Sequence, residues 1–184
     1  GDVYYTKDKG NNWNRSIGAP QNAVRLTDIW NKDFALSADL ADNQFYIFKD
    51  GILYASTDGG ATWQAMNQTP IPGASGYLNV VSTPGRPGEV WISLDKNGLW
   101  KTVDGGKNFV QIHSIGSARL FTWGAPAPNS TFPTAYCYGT VGEQWGLYRS
   151  TDMGNSWVRI NDDEHQFPSG VKTIAGDRKK FGRI

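Results

Sequence analysis

Apolar residues in this chain come in short bursts separated by polar turns, not in a helical rhythm. In the middle of the chain the bursts predict strands at about 78–82, 89–94, 98–103 and 108–113, rich in Val, Ile, Leu, Trp and Phe. Asn97-Gly98 reads as a hairpin turn between the second and third of these, as Asp50-Gly51 does one unit earlier. No stretch sustains helical periodicity, so the expected fold class is all-β.

The bursts belong to a repeat. The pattern Ser/Thr-x-Asp-x-Gly-x-x-Trp/Phe occurs four times, at Thr6–Trp13, Ser56–Trp63, Thr102–Phe109 and Ser150–Trp157. Its aspartates, Asp8, Asp58, Asp104 and Asp152, are spaced by 50, 46 and 48 residues. An aromatic stands four positions before each Asp (Tyr4, Tyr54, Trp100, Tyr148), preceded by an aliphatic (Val3, Leu53, Leu99, Leu147). The chemistry is that of a hairpin corner: the carboxylate accepts hydrogen bonds from turn amides and the Gly supplies a positive φ. The closing Trp or Phe is expected to pack into the core. A period near 48 residues fits one four-stranded blade of a β-propeller, with the corner, an Asp box of the BNR type, between the third and fourth strands.

On this reading the whole of 1–184 is a partial propeller. An incomplete blade spans 1–17, complete blades span 23–66, 77–114 and 118–161, and two opening strands fill 171–184. That is about four blades' worth of chain. An unfinished sheet edge is a hazard that proteins cover, so the missing blades are expected on the same original chain or on another chain.

Charge and composition narrow the function classes. Lys plus Arg number 18 against 17 Asp plus Glu, which leaves no basic field to gather a nucleic acid backbone. No apolar run approaches the roughly 18 residues needed to span a bilayer, so no membrane partner is expected. Cys137 is the only cysteine, which excludes an internal disulfide and reads as an inert buried thiol. No cluster has metal-ligand spacing and no phosphate-binding loop occurs, so neither metal nor cofactor is expected. Three Asn-x-Ser/Thr sequons, at Asn14, Asn67 and Asn129, would permit glycosylation in a secretory eukaryote.

Beyond the corners, the run from Gly146 to Phe167, with its Arg159-Ile160-Asn161-Asp162-Asp163-Glu164-His165-Gln166-Phe167 ending, resembles the signature of glycoside hydrolase family 74. Trp123-Gly124-Ala125-Pro126-Ala127-Pro128 and Thr173-Ile174-Ala175-Gly176-Asp177 are similar to the family's flanking segments in order and spacing. The likeness covers essentially the whole chain. One departure is Arg178, where a proline usually follows the Gly-Asp. The resemblance implies a secreted, extracellular enzyme that hydrolyses the β-1,4-glucan backbone of xyloglucan, a plant cell-wall polysaccharide, with inversion, in a cleft between two seven-bladed propellers. Inversion needs two carboxyl groups, an acid and a base. The family's pair is expected outside this chain, one in the N-terminal propeller and one in an earlier blade of the C-terminal propeller. Asp2 follows a Gly but aligns with a corner lead-in, so no catalytic residue is assigned here. The remaining blades and the N-terminal propeller are then the expected protein partners.

In a propeller the ligand side is made by the turns between second and third strands and by the connections between successive blades. This placement makes Asp8, Asp58, Asp104 and Asp152 structural, a calcium or catalytic role being the competing reading. It makes Thr140–Trp145 the longest such turn and 162–169 such a connection. Trp145 is the leading stacking candidate, since sugar rings present flat C–H faces that pack on indole. The competing reading of Trp145 is a packing ring between blades. His165, Gln166 and Asp163 offer polar partners to hydroxyls, the alternative for His165 being to hold Asp162 or Asp163 in place. Asp95, beside Lys96, occupies another such turn, whereas Trp30 and Trp123 fall near the opposite face. Two other function classes compete: a noncatalytic propeller that binds carbohydrate or protein, and a sialidase-like enzyme. The latter needs a cluster of three arginines, and Arg25, Arg119, Arg149 and Arg159 are scattered among strand roles.

Overall fold

The computed structural model describes residues 2–22, 34–39, 44–167 and 171–184. Trp30 and Arg25 therefore lie outside the described residues, as does the end of the 162–169 connection. Within them there are strands and turns and no helix. The first sheet pairs β1 (Tyr4–Tyr5) with β2 (Asn14–Arg15). The second holds β3 (Phe34–Asp39), β4 (Gln44–Lys49), β5 (Ile52–Ser56) and β6 (Gln64–Ala65). The third holds β7 (Asn79–Ser82), β8 (Val90–Ser93), β9 (Leu99–Thr102) and β10 (Val110–Gln111), and the fourth β11 (Ile115–Gly124), β12 (Thr134–Val141), β13 (Gln144–Ser150) and β14 (Val158–Arg159). Every sheet is an antiparallel meander in chain order. The third sheet follows the strands read from the apolar bursts, except that its last strand shortens to two paired residues.

Turn chemistry sets the hairpins. Asp50 and Gly51 both take positive φ, 50° and 83°, the geometry of a tight two-residue turn whose twist matches that of the strands. The β12–β13 turn is also only two residues long, Gly142 and Glu143, because Val141 pairs with Gln144. This corrects the expectation of a long turn over 140–145: Trp145 is a strand residue paired with Thr140.

Each corner is wired alike. The Ser or Thr hydroxyl donates to the Asp carboxylate at 2.8–2.9 Å and accepts the backbone N–H of the corner Gly at 2.8–2.9 Å. The same carboxylate accepts the backbone N–H four residues on at 2.9–3.0 Å and that residue's side chain, Asn12, Thr62, Asn108 or Ser156. The corner glycines Gly10, Gly60, Gly106 and Gly154 have φ between 85° and 98°, a region that costs an L side chain about 1–2 kcal/mol. Trp63 is buried, and its indole N–H donates to Gly60 O at 2.9 Å. Phe109 and Trp157 are half-buried against the cores between sheets. Trp13 departs from the expected burial. It is 61% exposed, because among the described residues no sheet covers the outer side of β1–β2.

The sheets join through their first strands. Ser82 N–H donates to Ser37 Oγ at 3.0 Å, linking β7 to β3, and Phe121 N–H donates to Asn79 Oδ1 at 3.3 Å, linking β11 to β7. The segment 171–177 stands beside β11 in the same manner: Gly176 N–H donates to Thr122 Oγ1 at 3.4 Å and Ala125 N–H to Asp177 O at 2.7 Å. It carries no strand ladder among the described residues. After it, Asp177 Oδ1 accepts the N–H groups of Lys179 and Lys180, closing a turn without the family's proline.

Cores fill the space between sheets. Successive residues of a strand face opposite ways, so in β8 Trp91 joins the core shared with the fourth sheet while Val90 and Ile92 join the one shared with the second. Trp91 stacks on Phe121 at 5.3 Å, and Trp123 meets both rings edge-on at 5.2 and 5.1 Å. Trp123, one residue before the end of β11 and so next to the connection to β12, is fully buried. Cys137 is fully buried in the same core, and burial pushes its thiol up to about 12, which leaves it inert. Asn67, a sequon residue, is buried too. Its Oδ1 accepts Leu53 N–H and its amide donates to Gly51 O and Thr69 O, so it offers no acceptor for a glycan in the folded chain. Asn14 and Asn129 are exposed.

Candidate functional site

Strand direction divides the molecule into two faces. The corners and the connections between first and second strands share one face, where Gly105 N–H donates to Gly88 O at 2.9 Å. A cavity of about 710 Å³ opens there, lined by Asp39, Ser82, Thr83, Pro126 and Arg178 among others. The turns between second and third strands and the connections between sheets share the other face, where Asn97 donates to Gly73 O and Lys96 N–H to Ser75 Oγ. The residues singled out as sugar contacts lie on this second face, so that cavity is not where they converge. We take the second face as the candidate site, because polar and aromatic side chains meet on it.

Trp145 is half-buried and lies edge-on to Tyr138 at 5.2 Å, with Phe167 edge-on to the same ring at 6.1 Å. Beneath these rings Leu120, Tyr138 and Leu147 form a small core on which Tyr77, Val171 and Ile174 also pack. An apolar cavity of about 390 Å³ is lined by Tyr138, Leu147, Phe167, Val171 and Ile174. Trp145 does not line this cavity; it packs on Tyr138 and is half-buried.

The 162–167 connection is folded on its own side chains. Asp162 Oδ1 accepts the N–H groups of Glu164 and His165, and His165 Nδ1 lies 2.7 Å from the same oxygen. The His165 side chain, followed by its backbone N–H, lowers the Asp162 pKa. Asp163 pairs with Arg159 Nη1 at 2.7 Å, and Gln166 Nε2 donates to Asp162 O at 2.8 Å. His165, Gln166 and Asp163 are exposed, so each keeps a free edge toward solvent. The two carboxylates serve different partners, His165 for Asp162 and Arg159 for Asp163.

Asp95 sits at a positive φ of 55°, and its backbone exchanges two hydrogen bonds of 2.8 Å with Ala118 of the next sheet. Its carboxylate occupies the space a Cβ on Gly76 would need, 2.6 Å away. Next to these anchors stands a pair that sequence reasoning missed as a site. Arg119 lies 4.0 Å over the ring of Tyr77 and donates through Nη2 to Tyr77 Oη at 2.5 Å. The other arginines do not join it: Arg149 lies over Phe181 and Arg159 holds Asp163.

The corner aspartates are carboxyls of the wrong kind for acid catalysis, which needs a raised pKa. The Asn12 N–H holds Asp8 at about 2 and the Thr62 N–H does the same for Asp58. Burial pushes Asp104 and Asp152 upward, but the summed hydrogen bonds of the corner outweigh it and bring Asp104 to about 2, with Asp152 lowered as well. Asp2 is exposed and paired with Arg15 at 3.1 Å. Among the described residues no group of three or more His, Cys, Asp or Glu could hold a metal ion.

No family model matches the chain. Individual proteins do. It is 40% identical over 157 residues to a probable oligoxyloglucan-reducing end-specific xyloglucanase of Neosartorya fischeri, covering 81% of this chain and 19% of that protein. It is 32% identical over 187 residues to a xyloglucanase of a Paenibacillus species, covering 99% of this chain and 17% of that one. Among solved structures, the GH74 enzyme of Niastella koreensis superposes with a TM-score of 0.82 at 32% identity, over 97% of this chain and 25% of that one. A structure of YCF48 bound to D1 peptide, at 18% identity and a TM-score of 0.51 over 85% of this chain and 47% of that one, shares the fold alone. The chain thus spans about a fifth of the length of the curated relatives it matches. The run of four-stranded antiparallel meanders matches the β-propeller fold of these neighbours, and by sequence and fold together the chain belongs to glycoside hydrolase family 74, of whose members it matches a segment.

Proposed function

We propose that this chain is part of a secreted, inverting xyloglucan hydrolase and forms one wall of its substrate cleft. The observation that carries the reading is identity of 32–40% to xyloglucanases over most of the chain, against a fifth of their length. The repeated corner wiring supports Asp-box blades, and the edge-to-edge joining of first strands supports about four blades' worth of a seven-bladed ring. The remaining blades and an N-terminal propeller complete the cleft and bring the acid and base carboxylates. Their absence from this chain fits the face described above, on which Asp162 and Asp163 are engaged by His165 and Arg159. Trp145, His165, Gln166, Asp163 and Asp95 then contribute sugar contacts rather than catalysis.

The test is direct. The isolated chain should be retarded in a gel containing xyloglucan and release no reducing ends from it, and release should begin only when the rest of the enzyme is supplied. Turnover by the chain alone would show that the catalytic pair is within it.

A further inference from the structure

Arg119 is the extra residue of a β-bulge. In β11 Ala118 pairs with Gly139 and Leu120 with Tyr138, which are adjacent on β12, so Arg119 has no partner of its own in the ladder. A bulge re-aims the side chain it carries, and here the guanidinium is laid over Tyr77 of the preceding sheet and bonded to its hydroxyl. No carboxylate pairs with Arg119 among the described residues, and its Nε is buried without an acceptor. A stacked guanidinium with spare donors is an unusual ornament for a fold to keep.

The surroundings complete a pattern of donors and an acceptor. Tyr77 Oη already accepts from Arg119, so its own proton is left to donate. The Arg119 hydrogen bond works against partial burial, and with the charges of Arg119 and Lys172 and a hydrogen bond from Lys172 it holds the phenol below its ordinary pKa, which makes it a stronger donor. Asp95 is anchored beside both: its backbone grips Ala118, next to Arg119, and its carboxylate rests on Gly76, next to Tyr77. Tyr77 and Trp145 pack on the same small core. Sugar hydroxyls both donate and accept, and sugar C–H faces pack on rings.

We propose that Tyr77, Arg119 and Asp95 form a subsite for one neutral sugar unit of the polysaccharide, with hydroxyls on Arg119, Tyr77 and Asp95 and a C–H face toward the aromatic rings. The proposal rests on the xyloglucan reading above.

Affinity electrophoresis of the full chain on xyloglucan tests it, with Tyr77→Phe, which keeps the ring, and Arg119→Gln, each also melted by scanning fluorimetry. The expected result is roughly tenfold weaker retention for each variant, the scale of one charge-assisted hydrogen bond, with Tyr77→Phe keeping a cooperative melting transition a few degrees at most below that of the unaltered chain. Equal retention of Tyr77→Phe and the unaltered chain would sink the subsite and leave the xyloglucan reading standing. No retention of the unaltered chain would sink both. Stronger retention on polygalacturonate than on xyloglucan would overturn the choice of a neutral sugar.

Discussion

Gly154 of the last corner meets Trp91 of the preceding sheet so closely that a Cβ on the glycine would stand 2.8 Å from Cη2 of the indole. The same tight approach recurs at Gly106, where a Cβ would lie 2.7 Å from Leu53 Cδ2, and relaxes to an ordinary contact of 3.5 Å with Tyr5 Cβ at Gly60. The corner glycine thus answers two demands, a left-handed backbone within its own sheet and a close approach to the sheet before it. Corners and junctions are one device, which explains why they recur with the period of the sheet.

Gly154→Ala should therefore cost about 2–4 kcal/mol, the sum of left-handed strain and overpacking. Gly105→Ala should cost only about 1–2 kcal/mol, since its φ is 73° but nothing lies within 4 Å of its Cβ position. Urea unfolding of the two variants measures the difference; equal costs would refute the interface role of Gly154.

The corner carboxylates make a prediction about acid. Their folded pKa values lie below the ordinary 3.8, at about 2 for Asp8, Asp58 and Asp104. A depressed folded pKa contributes stability that is present above the unfolded value and lost as the pH falls through the folded one. The melting temperature should therefore hold steady from neutral pH to about 4 and fall between about 4 and 2. The individual aspartates, followed by carbon-13 NMR, should titrate near the lower end of that window.

Asn67 is a buried clasp, holding Leu53 N–H, Gly51 O and Thr69 O. Asn67→Ala should cost about 2–4 kcal/mol, because buried backbone groups are left without partners. Asn161 repeats only part of the clasp, accepting Leu147 N–H at 2.8 Å with its own amide toward Asp162 O, and Asn161→Ala should cost less. Chemical denaturation of both variants gives the order.

His165→Ala should raise the Asp162 pKa toward its ordinary value, because the imidazole is the first cause of its depression. Both side chains are exposed, so folding stability should hardly change. NMR titration of Asp162 reads the shift, and an unmoved pKa would break the link between the two residues.

The repeat was legible because each corner is local: Ser or Thr, Asp, Gly and the residue four past the Asp bond to one another within seven residues, so their spacing alone announces them. Strand existence was legible for the same reason, through alternation and tight turns such as Asp50-Gly51. The run ending in His165-Gln166-Phe167 carried the family. What spacing could not reveal depends on residues far apart in the chain. Arg119 reads as one more strand residue until a bulge lays it on Tyr77, 42 positions earlier. Trp13 and Trp63 occupy the same motif position, yet only the second is buried, since burial is decided by which sheet stands alongside. Local hydrogen bonding wrote the sheets and their corners into the sequence, while the packing of one sheet on the next, a property of no single segment, chose which side chains meet at the site.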